Sequence, residues 1–95
     1  MLQEDSGQSL KDQANALYKQ GDYHGAIDLY SNAIELEPSN PTFYSNRSAA
    51  YMMLYKFVQS LQDCRKALEL DNKMTKVYVR ASKCCLALGS LEEAK

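Results

Sequence analysis

Histidine occurs once in this 95-residue chain, cysteine three times, proline twice, and neither sign of charge prevails. Each shortage removes a class of function. Eleven Lys and Arg against twelve Asp and Glu give a net charge of −1, so the basic excess that carries a nucleic-acid binder onto phosphate is missing, and charge-based recognition has to be local. Cys64, Cys84 and Cys85 are odd in number and include an adjacent pair, which suits neither a disulfide framework nor Cys-x-x-Cys zinc spacing; a reducing cytosol or nucleus is the expected home. No apolar run approaches the roughly 18 residues of a membrane span, and the start, MLQEDSGQSL, is polar and acidic where a signal peptide is basic and then apolar. With His24 alone and no HExxH, GxSxG, Walker or GxGxxG motif, the chain lacks the usual sites of acid–base, metal or phosphate chemistry. No catalysis, cofactor, metal, nucleic acid or membrane is expected.

What is present is an internal repeat. Sliding the chain against itself gives the best match at an offset of 34 residues: Ala26, Ser60 and Ala94 share a register, as do Ile27 and Leu61, Ala33 and Ala67, Leu36 and Leu70, and Tyr44 and Tyr78. Small residues recur with small and large with large. Ala26, Ile27, Tyr30, Ala33 and Ile34 lie on one helical stripe, and Gly21-Asp22 and Gly89-Ser90 punctuate copies internally, whereas Pro38 and Asn40-Pro41 separate them. Each unit reads as helix, turn, helix. The spacing predicts helices near 8–20, 23–36, 42–55, 58–70 and 76–88 and a short one from Leu91, with Asn40 capping before Pro41 and Ser90 pairing with Glu93 as a capping box. No strand is expected. Tyr55 stands where the other copies have Gly21 and Gly89, so either a different turn or a strained one is expected there.

This pattern resembles the tetratricopeptide repeat (TPR) family. Leu10, Ala14, Leu17, Ala26, Tyr30, Ala33 and Pro38 hold its positions in the first copy, and Tyr44, Ser48, Tyr51, Ser60, Cys64 and Ala67 in the second; Asn72, where proline is usual, and Tyr55 depart from it. The resemblance implies an all-α solenoid of about two and a half repeats, 7–40, 41–74 and a shortened 75–95, whose first helices line a concave groove. With the chain ending soon after helix 76–88, the apolar side of that helix, with Leu86 and Leu88, is expected exposed and prone to self-association. The cysteines and most tyrosines, including Tyr30, Tyr44, Tyr51 and Tyr78, read as packing residues, and Arg47 and Arg65 as surface or inter-helix salt-bridge residues.

On the first helix of each copy, Lys11 and Asn15 are four apart, Lys76 and Arg80 likewise, and Asn46 lies between. Stacked in order they put three cations and two amides on one wall, a donor set that favours carboxylates. A chain-terminal Asp or Glu carries two carboxylates near one carbon and an internal residue does not, so such a cluster selects a C-terminus. Asn in mid-helix needs either a structural hydrogen bond or a ligand to explain it. These five types at these positions, with the segments YSNRSAAY and KVYVR, resemble the carboxylate clamp of co-chaperone TPR domains; AYMML and KCCLALG are most similar to the TPR region of DnaJ-type (J-domain) co-chaperones. The resemblance implies binding of the C-terminal Glu-Glu-Val-Asp tail of Hsp70 or Hsp90. Lys11, Asn15 and Asn46 would hold the terminal carboxylate, Lys76 and Arg80 the Asp side chain and upstream carbonyls, and Tyr18, Ala49, Met52 and Met53 the apolar side chains. The alternative is an assembly scaffold that takes an internal helical or extended segment of a partner.

Overall fold

The computed structural model describes residues 6–93, with side chains as far as Gly89. Five helices follow one another: α1 Gly7–Gln20, α2 Tyr23–Leu36, α3 Pro41–Met53, α4 Phe57–Leu70 and α5 Thr75–Glu93; no strand occurs among the described residues. Each packs on its neighbours in sequence, and α3 also reaches α5. This is the two-helix stacking of an α-solenoid, in which a stripe too narrow to be a core by itself is buried by the next unit.

The starts of these helices are written in side chains. Ser6 Oγ accepts from Ser9 N–H at 3.1 Å, Asp22 Oδ1 from Gly25 N–H at 2.9 Å, and Asn40 Oδ1 from Thr42 N–H at 3.0 Å with Pro41 in the first helical position. Each satisfies an amide the helix leaves unpaired. Lys56, the cap of α4, makes no such bond.

Packing depends on small residues. Ala14, Ala26 and Ala50 are fully buried in one cluster with Tyr30, flanked by Leu17, Tyr18, Ile27 and Leu29; Cys64, Ala67 and Val77 form another with Tyr44; Leu10, Ala33 and Phe43 close the first end. Cys64 and Cys84 are buried, whereas Cys85 is exposed and fills nothing. Tyr30 and Tyr44 are core, Tyr51 is half-buried, and Tyr78 is exposed, tied to the chain by a 2.9 Å bond from its hydroxyl to the Asn72 carbonyl. Tyr78 departs from the expected burial because no described helix covers its side of α5. Val79 and Leu86 stand in the open on the same helix. Arg47 is an inter-helix ion-pair residue: its Nε and Nη2 each reach Asp63 at 2.7 Å, a two-pronged pair that raises its affinity for its proton against the opposing effect of burial.

Two turns tell against simple reading. The helix expected to end at Gly89 runs through Gly89 and Ser90 to Glu93. A turn there would free helical hydrogen bonds, whereas continuing the ladder costs only the poor propensity of one glycine, about 1 kcal/mol. Whether Ser90 and Glu93 bond as a capping box lies outside the described side chains.

At Tyr55 the strained alternative holds. Its φ is 59°, in the left-handed region where Gly21 sits at 87°. The hydrogen bonds are the same in both turns: Gly21 N–H to Tyr18 O at 3.0 Å and Asp22 N–H to Leu17 O at 2.9 Å, against Tyr55 N–H to Met52 O and Lys56 N–H to Tyr51 O, both 2.9 Å. Helix packing dictates one geometry, and the second copy adopts it without the residue that adopts it freely. Replacing Tyr55 with Gly should therefore stabilise the domain by about 1 kcal/mol, and Lys56→Asp, which supplies the missing cap, by about 1 kcal/mol more. Urea unfolding of the two single variants and the double would test this; a Tyr55→Gly midpoint at or below that of the parent would mean that the edge-on contact of Tyr55 with Phe57, centroids 6.2 Å apart, outweighs the strain.

Candidate functional site

The odd-numbered helices α1, α3 and α5 bring Asn15, Tyr18, Asn46, Ala49 and Arg80 to a single pocket of about 250 Å³, with Tyr30 of α2 as its floor. None of these six residues carries a carboxylate. Of the five proposed carboxylate-binding residues, Asn15, Asn46 and Arg80 thus line one cavity. Lys11, half-buried one turn before Asn15, and Lys76, exposed one turn before Arg80, do not line it and stand on the same helices as their partners. Of the four expected apolar contacts, Tyr18 and Ala49 line the pocket; Met52, half-buried, and Met53, 47% exposed, do not.

The polar groups of the pocket are held in distinct ways. The hydroxyl of Tyr30 donates to Asn15 Oδ1. A phenol gives its one proton to that bond, which assigns Oδ1 as acceptor and leaves the two Nδ2 hydrogens of Asn15 as the donors available to a ligand. Asn46 makes no side-chain hydrogen bond to another described residue, so the structural explanation of an Asn in mid-helix is not met among the described residues. Arg80 reaches across from α5 to α3: its Nη1 donates to the Ser45 carbonyl at 3.0 Å, to Ser48 Oγ at 3.0 Å and to Ser45 Oγ at 3.3 Å.

Tyr30, Ser45 and Ser48 are the site residues that reading the sequence did not single out. Tyr30 follows the packing stripe and is buried, so nothing in its spacing separates a core ring from one whose hydroxyl orients a groove amide 15 residues away. Ser45 and Ser48 sit beside Asn46 and Arg47 in the segment YSNRS, and only the fold brings Arg80 to them.

A family model described as "TPR repeat" matches residues 14–54. Over nearly its whole length the chain also superposes on a solved domain, the first TPR of Spaghetti (RPAP3) bound to the HSP90 peptide SRMEEVD: 38% identity, 98% of this chain and 76% of that one, TM-score 0.85. The chain belongs to the tetratricopeptide repeat family. The second TPR domain of human RPAP3, in complex with the HSP70 peptide SGPTIEEVD, is 33% identical over 93% of this TPR domain and 73% of that chain, TM-score 0.85. Among curated relatives, human serine/threonine-protein phosphatase 5 is 45% identical over 92% of the chain, and mouse DnaJ homolog subfamily C member 7 is 39% identical over 87%. The DnaJ-type resemblance stands, beside one of higher identity and coverage to the phosphatase. The TPR domain spans 17% of the length of each of these two relatives. As a TPR domain it is a protein-interaction module and not a catalytic one. No helix among the described residues is long and apolar enough to cross a membrane.

Burial, and next the neighbouring Tyr18, push the Tyr30 hydroxyl from its ordinary 10.0 up to about 12. Because the folded value lies above the unfolded one, the neutral phenol stabilises the fold fully below pH 10, and that contribution is lost as pH rises toward 12; a rise of this size corresponds to about 3 kcal/mol. Stability measured in urea should fall steeply between pH 10 and 12, and Tyr30→Phe should flatten that part of the profile. An unchanged slope in the variant would place the alkaline loss elsewhere.

Proposed function

We propose that this TPR domain binds the C-terminal Glu-Glu-Val-Asp tail of Hsp70 and Hsp90 chaperones through the paired carboxylates of the terminal Asp. The observation that carries the reading is the convergence of Asn15, Asn46 and Arg80 on one pocket whose lining contains no acid. A buried carboxylate without partners is costly, and a groove lined by amide and guanidinium donors and by no acid offsets that cost for an anionic ligand. In this reading Lys11, Asn15 and Asn46 hold the main-chain carboxylate, Lys76 and Arg80 take the Asp side chain and upstream carbonyls, and Tyr18, Ala49, Met52 and Met53 flank the Val and the residues before it. Lys11, half-buried, and Lys76, exposed, lie one turn outside the pocket lining and are the adjustable part of the clamp, closing on the ligand from its rim.

The complexes of related domains with SRMEEVD and SGPTIEEVD support the ligand class, since the two peptides share their last four residues. The repeats are taken as 7–40, 41–74 and 75–95. The domain would serve as a chaperone adaptor in the cytosol or nucleus, contributing recognition and no chemistry of its own.

Calorimetric titration with SRMEEVD as free acid and as C-terminal amide tests this directly. The acid should bind in the micromolar range and the amide not measurably. A charge-assisted hydrogen bond contributes about 1.5–3 kcal/mol, so Lys76→Ala and Arg80→Ala should each cost about tenfold or more in affinity with helicity unchanged. Equal binding of acid and amide would overturn the clamp and favour a scaffold that takes an internal segment.

A further inference from the structure

Two arginines lie near the groove and meet opposite fates. Arg47 is neutralised by Asp63, itself buried, and spends Nε and Nη2 on that carboxylate and Nη1 on Ser31 Oγ at 3.0 Å. Arg80 is held by three neutral oxygens instead, and all of them meet the same nitrogen, Nη1. A carboxylate partner would have to be surrendered before an anionic ligand could bind; serine and carbonyl oxygens leave the full positive charge in place and leave Nη2 and Nε for a two-pronged contact. The holding oxygens are themselves fixed. Ser48, fully buried, donates its own hydroxyl to the Ser45 carbonyl at 2.6 Å, which orients its lone pairs toward Arg80, and its carbonyl is in turn held by Ser60 Oγ at 2.8 Å from α4.

We propose that Ser48, with Ser45, is a positioning residue for the ligand: a neutral seat that presents Arg80 to the terminal Asp with its charge unspent. The proposal rests on the carboxylate-binding reading above and adds to it residues that do not touch the peptide. An unseated arginine has to give up its rotamer freedom when the peptide binds; a seated one has already done so.

The test uses the whole chain and four variants: Ser48→Ala, Ser60→Ala, Arg80→Ala and the Ser48→Ala/Arg80→Ala double. Ala14 and Ala26 occupy the repeat positions of Ser48 and Ser60 and are fully buried, so alanine fits both sites. Ser48→Ala should weaken binding of SRMEEVD free acid by about 3- to 10-fold, the loss of one neutral hydrogen bond, and should change affinity by less than about twofold when Arg80 is already Ala. Ser60→Ala, which removes the bond to the Ser48 carbonyl from a side chain that does not meet Arg80, should cost less affinity than Ser48→Ala does. Independently of any peptide, the Nη hydrogens of Arg80 should give separate NMR resonances in the parent domain and averaged ones in Ser48→Ala. Averaged resonances in the parent, equal losses from Ser48→Ala and Ser60→Ala, or an undiminished Ser48 effect in the Arg80→Ala background would each overturn the seat. A parent domain that binds neither acid nor amide overturns the carboxylate reading and this role with it, and that titration tells it apart from failure of the seat alone.

Discussion

Where α1 meets α2 and where α3 meets α4, the residues at matching positions are no larger than a hydroxymethyl group: Ala14 and Ala26 in the first pair, Ser48 and Ser60 in the second, all fully buried. That limit on size sets everything else. It lets paired backbones come close enough for Ser60 Oγ on α4 to reach the Ser48 carbonyl on α3, and it fixes the angle at which α1, α3 and α5 line up. A larger side chain at any of these positions would push the helices apart by more than the pocket between them can absorb, because close-packed interiors transmit strain. The strained Tyr55 turn is a consequence of the same constraint: packing of α4 on α3 requires a left-handed terminus, and the residue there complies.

The helix pairs were legible in the sequence because the evidence for them is local and repeated. An offset of 34 residues duplicates both the stripe and the caps, and Asn40-Pro41 or Gly21-Asp22 act within a few residues of where they are written. Gly89-Ser90 carries the same local signal and fails, since the helical ladder continues unbroken through it to Glu93. The glycine permits a left-handed terminus; the tertiary partner decides whether one forms. Tyr78 shows the same dependence from the side of burial, holding the repeat position of the buried Tyr44 and remaining exposed.

The groove was legible in part, and the division is physical. Asn15, Asn46 and Arg80 could be picked by type and helical phase, because donors four apart, Lys11 with Asn15 and Lys76 with Arg80, share a helix face, and an Asn in mid-helix stands out. Which donors are pre-oriented is not encoded that way. Tyr30 fixing Asn15 and Ser48 fixing Arg80 are contacts across 15 and 32 residues, made by side chains that also satisfy the packing pattern, so their second use leaves no mark in periodicity.

On the proposed carboxylate-binding reading, a chain of net charge −1 must keep its own acids away from the groove, and the placement of Asp63 shows how. It lies buried against Arg47, the residue after Asn46, and absorbs the one cation of α3 that would otherwise compete with the groove for a ligand. The helix next to it supplies Arg80, whose acceptors are neutral. In that reading, selectivity for a chain terminus follows from this separation. Had Asp63 paired with Arg80, the pocket would be electrically closed and a neutral segment would enter as readily as an acid; with Asp63 committed elsewhere, the donors gathered around Asn15 and Asn46 remain unmatched, and two carboxylates on adjacent atoms of a terminal residue match them better than any internal side chain does.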